Sequence, residues 1–465
     1  MSFDCCWATV FLAMVAMAVP PARGAVLFTN LHSFTNSATG GYFPLAGLAQ
    51  GRDGNLYGTT SYGGSAHWGS VFRITSTGTF TSLYSFTGGS DGGIPAATLV
   101  AGDDGFLYGT TSGGGPTVQA SLGSVFKIST NGVFSTLHSF AAGTDGAYPY
   151  GHLTQAGDGN FYGTTSQGDP FLHPGYGTVF RITKAGVLTT LYSFTNEMDG
   201  SYLYSGLALG ADGDLYGTAS QGGTKGNGTI FKIATNGTFT PLHSFTGGND
   251  GANPYAALIQ GNDGNMYGTT VGGGANGWGG VFKLAPSGVV SPLHPFTRGN
   301  DGAAPYGGLT LGSDGNLYGT ADQGGAVGVG VIFKITTSGS FTLLYTFTAQ
   351  SDGQQPQGAL VQIVGGNFWG VVQYNFGSVG GGCVFRLTLP PPAVSVWQSI
   401  AAQGTVMKLT WSTLPGASYQ LQYRSDLDTA SWTNLGAAVI ATSNSITATD
   451  TIADPQRFYR VFLPW

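Results

Sequence analysis

Charged side chains are scarce in this sequence. Asp, Glu, Lys and Arg make up 8% of its 465 residues, against about 25% in ordinary soluble domains. Glu197 is the only glutamate, and no run of Lys or Arg occurs that could follow a phosphate backbone. Low charge together with 13% aromatic residues excludes the usual charge-rich disordered chain. The same shortage disfavours nucleic acid as a partner.

Cysteine is almost absent as well, and its placement bears on export. Residues 5–19 form an apolar run of signal-peptide length, which predicts a signal peptide over residues 1–24. The run is shorter than the roughly 20 residues of a spanning helix, so we expect export without a transmembrane segment in the mature chain. Of the three cysteines only Cys383 would remain, which excludes an intrachain disulfide and a cysteine zinc site. We therefore predict a secreted or cell-surface bacterial protein.

Glycine and aromatic residues are abundant, and they recur in one phrase. Glycine fills 80 positions, and the stretch DGNLYGTTSYGG at residues 53–64 returns in altered form every 51 to 54 residues. Its aromatic residue falls at Tyr57, Tyr108, Tyr162, Tyr216, Tyr267, Tyr318 and Trp369. The Phe of a later VF or IF pair falls at Phe72, Phe126, Phe180, Phe231, Phe282, Phe333 and Phe385. The chain therefore contains seven tandem repeats.

Each repeat is predicted to form four short strands. In the repeat around Tyr318 these are PYGGLTLG, NLYGTA, GVIFKIT and SFTLLYTF, separated by glycine-containing turns. Adjacent apolar residues in the third strand indicate that both faces of the sheet are buried. Repeated four-stranded sheets at a period of about 50 residues predict an all-β fold, a seven-bladed β-propeller, with a β-solenoid as the alternative.

The two ends of the repeat region complement each other. Residues 25–34 have the pattern of a fourth strand without the other three, and residues 383–389 that of a third strand without its fourth. We therefore expect the N-terminal strand to pair into the seventh sheet and close the circle, which removes exposed sheet edges. The predicted propeller covers residues 25–389.

The repeated Asp-Gly dipeptides are interpreted as scaffolding. Twelve of the 22 acidic residues precede glycine, where a tight hairpin favours aspartate followed by a residue that tolerates positive φ. Calcium binding at these loops is the alternative, but one carboxylate per loop is sparse for an ion that takes six to eight oxygens. We predict no metal site and no cofactor.

These phrases resemble the GloVer tandem-repeat family, a choice-of-anchor group of secreted bacterial proteins. The resemblance covers about residues 25–389 and is carried by the pattern from LYGTT through VFKI and LYSF to DG. It implies an exported repeat protein with differing C-terminal attachment devices and no established biochemical activity.

The composition changes after the proline run at residues 390–392, which we interpret as a stiff linker. Residues 393–465 contain alternating short strands such as MKLTWS, SYQLQYRS and RFYRVF. This pattern resembles a fibronectin type III or related small β-sandwich, with Trp411 in its core. Such modules commonly act as spacers or attachment devices.

Candidate binding residues lie where the repeats differ. The loop between second and third strands carries the variation in length, and it should share one side of the molecule with the fourth-to-first connections. There, Tyr150, Tyr204, Tyr255 and Tyr306 occupy equivalent positions in successive repeats. They are interpreted either as an aromatic arc for sugar rings or as interblade packing. Trp68 and Trp278 in variable loops would extend the arc.

A second group of candidates points to a different function. His152, Asp169, His173 and Glu197 depart from the repeat around its third copy and have the residue types of a general acid and base or a metal site. They carry the alternative hypothesis, a lyase or hydrolase acting on polysaccharide. The favoured interpretation is a noncatalytic monomer that binds an extracellular glycan or protein, or serves a structural role at the cell surface.

Overall fold

The computed structural model describes residues 26–35, 40–114, 122–141, 144–168, 176–195, 198–363, 366–374, 381–389, 397–403, 406–413, 418–425, 432–441, 445–451 and 457–462. All regular secondary structure within these ranges is β-strand, as the sequence predicts. The predicted signal peptide and the proline linker lie outside the described residues. No helix of the described segments combines the length and apolar character needed to cross a membrane.

The strands follow the repeats closely. In chain order they begin with β1 Leu27–Ser33, β2 Ala49–Gln50, β3 Leu56–Thr60, β4 Ser70–Ile74, β5 Phe80–Ser85, β6 Val100–Ala101, β7 Leu107–Thr111, β8 Ser124–Ile128, β9 Phe134–Ser139, β10 Thr154–Gln155, β11 Phe161–Thr165, β12 Thr178–Ile182 and β13 Leu188–Ser193. They continue with β14 Ala208–Leu209, β15 Leu215–Ala219, β16 Thr229–Ile233, β17 Phe239–Ser244, β18 Ile259–Gln260, β19 Met266–Thr270, β20 Gly280–Leu284, β21 Val290–Pro295, β22 Thr310–Leu311, β23 Leu317–Ala321, β24 Val331–Ile335 and β25 Phe341–Thr346. The last are β26 Val361–Gln362, β27 Asn367–Val372, β28 Cys383–Thr388, β29 Trp397–Gln403, β30 Val406–Ser412, β31 Ser418–Arg424, β32 Thr433–Asn434, β33 Val439–Ile440, β34 Ser445–Thr451 and β35 Phe458–Phe462.

The first 28 strands form seven four-stranded antiparallel sheets. Sheets 1 to 6 each contain four consecutive strands, from β2–β5 in sheet 1 to β22–β25 in sheet 6. Sheet 7 has the order β26, β27, β28, β1, with Leu27 opposite Thr388 and Ser33 opposite Cys383. The N-terminal strand therefore completes the last sheet, as the two fragmentary ends predict.

Apolar side chains join each sheet to the next. The second and third strands are buried along most of their length, as in β11 and β12. Core clusters connect sheets 1 and 2, 2 and 3, 3 and 4, 4 and 5, 5 and 6, and 6 and 7. A seventh cluster packs Phe34 and Trp369 of sheet 7 against Leu48, Phe72 and Ile74 of sheet 1. Burial of apolar area between sheets is therefore the dominant stabilising contribution in the repeat region.

The glycine of the repeated YG phrase makes room for the neighbouring strand. A Cβ atom added at Gly163 would lie 2.5 Å from Cζ of Phe180 and 2.9 Å from Cδ2 of Leu153. Gly163 pairs with Phe180 across β11 and β12, so the phenyl ring lies directly over the glycine. Only a residue without a side chain fits this contact.

The aspartate of the first hairpin binds the tyrosine of the same phrase. In sheet 2, Oδ2 of Asp104 accepts a hydrogen bond of 2.7 Å from the Tyr108 hydroxyl, and Oδ1 accepts one from the Phe106 amide. The same tyrosine contact recurs at Asp53, Asp158, Asp212, Asp263 and Asp314, at 2.6 to 2.9 Å. Both carboxylate oxygens thus have protein donors, which identifies these aspartates as turn and anchoring residues.

The described residues beyond position 396 form two further small sheets. One contains β29, β30 and β34, and the other contains β31 with β32, β33 and β35. Leu409 and Trp411 from the first sheet share a core with Tyr419 and Leu421 from the second. Trp411 is 1% exposed, in agreement with its predicted packing role.

Candidate functional site

Two sets of loops meet on one side of the repeat region, which we call the loop side. The connection that enters each sheet forms a β-bridge with the loop between that sheet's second and third strands. Examples are Ala147 with Gln167 in sheet 3 and Ser201 with Gln221 in sheet 4. This arrangement confirms that the variable loops and the fourth-to-first connections share one side. The hairpins between the first and second strands, such as Asp53-Gly54, lie on the opposite side, which we call the hairpin side. The other six Asp-Gly dipeptides, such as Asp91-Gly92, lie in the fourth-to-first connections.

The backbone on the loop side bends sharply just before the candidate tyrosines. The residue before the proline position has positive φ in all seven sheets, at Phe43, Ile94, Tyr148, Tyr202, Asn253, Ala304 and Gln355. Such values cost a non-glycine residue about 1 kcal/mol or more. The bend is held by hydrogen bonds: Tyr148 N–H donates to Leu122 O of sheet 2, and Tyr148 O accepts from Ser166 N–H. Contacts from two sheets therefore fix the residues that follow.

A cavity of about 320 Å³ opens between the segments that follow these bends. All seven sheets contribute to its lining, from Leu45 and Ala96 in sheets 1 and 2 to Gln357 in sheet 7. Most of the lining residues are Gly, Ala, Leu or Ile. The volume is at the lower end of the range of about 300 to 1,000 Å³ that is typical of small-molecule sites.

The four predicted tyrosines form one continuous arc. Ring centroids of Tyr150 and Tyr204 are 5.5 Å apart, those of Tyr204 and Tyr255 are 5.1 Å apart, and those of Tyr255 and Tyr306 are 5.3 Å apart. The first three line the cavity, and Tyr306 continues the arc. Distances of this kind are favourable for aromatic pairs. The structure therefore joins into one row of ring contacts four tyrosines that extend over more than 150 positions of the sequence, from Tyr150 to Tyr306.

Tyr204 packs against aromatic rings of its own sheet and of the next sheet. Its ring stacks on Tyr255 at an interplanar angle of 10° and on Tyr202 at 17°. Tyr204 is therefore itself part of the packing between sheets 4 and 5. Burial raises the pKa of Tyr150, Tyr204 and Tyr306, so these hydroxyls remain protonated donors near neutral pH. These ring contacts support the packing interpretation of the arc, and the binding interpretation stays a prediction.

Sequence reasoning missed two polar residues beside the arc. Gln357 occupies the tyrosine position of sheet 7, and its Nε2 donates a 3.0 Å hydrogen bond to Oδ1 of Asp322. Asp322 is 3% exposed, and burial raises its pKa. Other repeats have a serine at the position of Asp322, for example Ser61 and Ser112. That exchange of serine for aspartate was the available signal in the sequence.

The two candidate tryptophans lie away from the cavity lining. Trp68 contacts Gly88 and Gly93, in the connection from sheet 1 to sheet 2. Trp278 is 37% exposed, and the Arg298 guanidinium lies 4.2 Å from its ring centroid, a cation–π contact. The structure therefore places both at the boundaries between consecutive sheets rather than in the arc.

Of the four residues behind the enzymatic hypothesis, the structure describes only His152. Asp169, His173 and Glu197 lie outside the described residues. His152 is partly buried in the cavity wall, and burial lowers the pKa of its imidazole. The ring lies against Gly206 of sheet 4, where an added Cβ would be 2.6 Å from Nδ1. Within the described segments, no group of three His, Cys, Asp or Glu is placed to hold a metal ion.

Together, the sheets and the loop-side cavity define an all-β tandem-repeat protein. Residues 18–211 and 204–421 match the model of the Gloeobacter/Verrucomicrobia repeat, and the chain belongs to this family. The family is associated with secreted bacterial proteins. No curated protein matches the sequence.

Several solved structures are similar to the chain at low identity. A prolyl endopeptidase has 14% identity and a TM-score of 0.43, over 80% of this chain and 55% of its own. Puromycin hydrolase has 12% identity and a TM-score of 0.46, over 81% and 60%. The GH93 α-L-arabinofuranosidase of Fusarium graminearum, solved with arabinobiose, has 12% identity and a TM-score of 0.43, over 77% and 98%. At this level of similarity these structures assign neither an activity nor a ligand to the chain.

Proposed function

We propose that this chain is an exported, noncatalytic β-propeller protein that binds an extracellular glycan or protein at the loop-side cavity. The seven four-stranded sheets would be the blades of one closed propeller. This proposal is supported by the pairing of β1 with β28 and by the core cluster that joins sheet 7 to sheet 1. A closed ring leaves no long sheet edge exposed.

The observation that carries the binding proposal is the tyrosine arc at the cavity. Four tyrosines in consecutive sheets make ring contacts, and three of them line a cavity to which every sheet contributes. Aromatic residues with protonated hydroxyls around a concave, mostly apolar surface are typical of binding sites. The described cavity lining has no Asp, Glu, Lys or Arg, and its one imidazole is His152.

Export and the C-terminal module complete the proposal. Cleavage after residue 24 would release the mature chain, and the family's association with secreted proteins supports this location. Residues 393–465 would form a fibronectin type III-like β-sandwich, supported by the core shared between the sheets of β30 and β31. That module would separate or attach the propeller at the cell surface.

A glycan array and a protein array, each screened with the purified protein, test the proposal. For a hit confirmed by titration calorimetry, we expect Tyr150→Ala and Tyr255→Ala to weaken binding at least tenfold, because each removes an aromatic contact of the arc. Phe106→Ala, at the hairpin of sheet 2 on the hairpin side, is the matched control and should bind like the wild type. Unchanged affinity in both tyrosine variants would remove the arc from the binding site.

A further inference from the structure

The cavity wall is uncharged over all of its described lining residues. The carboxylate of Asp322, outside this lining, is buried and accepts a hydrogen bond from the amide of Gln357. A charged ligand group entering this cavity would lose hydration without meeting an opposite charge, which is costly. The wall therefore selects against anionic and cationic groups.

The polar atoms of the wall are matched to hydroxyl groups. The hydrogen bond to Asp322 fixes the orientation of the Gln357 amide, which leaves the carbonyl oxygen Oε1 able to accept a hydrogen bond from a ligand. The arc supplies phenol hydroxyls as donors. His152 adds an imidazole at a position that small residues, such as Gly47 and Thr98, occupy in the other sheets. An apolar wall that offers both donors and acceptors is the complement of a sugar, which carries both on each hydroxyl.

The shape of the cavity limits how much ligand can enter. Its wall is made by all seven sheets, so the ligand has to enter along the axis between them rather than across the surface. A volume of about 320 Å³ accommodates a single small moiety, not a run of polymer.

We infer that the cavity recognises one terminal residue of a neutral glycan end-on, with Gln357 and His152 reading its hydroxyls. This inference rests on the proposed function and adds the charge, the size and the direction of entry of the ligand. Gln357 acts as a contact residue, and Asp322 is a positioning residue that acts through it.

The test compares neutral tetrasaccharides of glucose, mannose and galactose with tetragalacturonate in titrations of the intact protein. We expect a neutral tetrasaccharide to bind at least tenfold more tightly than tetragalacturonate, and the disaccharide of the same sugar to bind about as tightly as the tetrasaccharide. Gln357→Met, which keeps the volume of the side chain, should weaken neutral binding about tenfold. Gln50→Met, at an exposed glutamine on β2, is the matched control and should leave it unchanged.

The possible outcomes separate this inference from the binding proposal. If tetragalacturonate binds more tightly than the neutral sugars and Tyr255→Ala abolishes that binding, the inference is overturned and the proposed site remains. Affinity that grows steadily from disaccharide to tetrasaccharide would also overturn end-on entry. If neutral sugars bind equally to wild type, Tyr150→Ala and Tyr255→Ala, both the inference and the proposed site fail.

Discussion

The hairpin side and the loop side are built from the same repeats but use them in different ways. On the hairpin side, six sheets place aspartate and tyrosine in the same positions and form the same hydrogen bond, as in Asp104 with Tyr108. On the loop side, the backbone keeps one conformation in all seven sheets, including the positive φ before the proline position. The side chains that follow it vary from Leu45 and Ala96 to tyrosine and Gln357.

This difference distinguishes side chains that the fold requires in every repeat from positions at which the side chain is free to vary. A side chain that every repeat retains serves the packing that every repeat needs. A position whose backbone is fixed while its side chain changes is free to contact a ligand. Substitutions on the two sides test this distinction.

Replacing the buried glycine of a YG phrase should be the most damaging single change. Gly163→Ala places Cβ within 2.5 Å of Cζ of Phe180, so either the ring or the paired strand has to shift, at a cost of about 3 kcal/mol. Gly157→Ala, in the hairpin of the same sheet, has open space and ordinary φ and should be neutral or slightly stabilising. Urea unfolding followed by tryptophan fluorescence measures both. Equal stability of the two variants would contradict the packing role of Gly163.

Removing one tyrosine hydroxyl should affect stability on the hairpin side only. Tyr108→Phe deprives Oδ2 of Asp104 of its donor and should lower the free energy of unfolding by about 1 kcal/mol. Tyr255→Phe, on the cavity wall, should change it by less than about 0.5 kcal/mol while weakening sugar binding. Thermal unfolding together with titration calorimetry separates the two effects. A loss of stability in both variants would show that the arc is as structural as the hairpins.

Lowering the pH should lower the stability of the protein through His152, the partly buried imidazole of the cavity wall. Burial lowers the pKa of His152 below 6.5, so the unfolded chain binds a proton at a higher pH than the folded chain does. Stability is therefore expected to fall as the pH decreases from 6.5 through the folded pKa. His32 and His294 act in the same direction, so His152→Asn should reduce the slope of Tm against pH without abolishing it. Exposed His67→Asn is the control, and an unchanged slope in His152→Asn would contradict the prediction.

The periodicity of the sequence predicts the four-stranded sheet of each repeat, but not the length of its first strand or the register of its last two strands. The predicted first strand around Tyr318, PYGGLTLG, is reduced to Thr310–Leu311. After the bend at Ala304, the chain passes the cavity before it pairs with β23. The third and fourth strands also shift register by one residue in all seven sheets, as between Val179 and Phe180 in sheet 3. Such bulges leave no mark in a pattern of apolar residues.

The candidate site could be predicted only in part for a related reason. Equivalent positions in successive repeats become neighbours when the sheets pack side by side, so the four tyrosines could be grouped from spacing alone. Tyr202 stacks on Tyr204, and Gln357 donates a hydrogen bond to Asp322. Each of these contacts joins residues that do not occupy equivalent positions in their repeats. Contacts of this kind require coordinates.

The pairing of β1 with β28 has a consequence for how the chain matures. The first strand, β1, has its partner at Cys383–Thr388, the last strand of the repeats, so it can pair only after the chain has been synthesised through Thr388. A chain terminated before β28 would leave both β1 and β27 without their partner, and it would present unpaired β-strand edges to its neighbours. Pairing of β1 therefore depends on the whole repeat region and gives sheet 7 its fourth strand last.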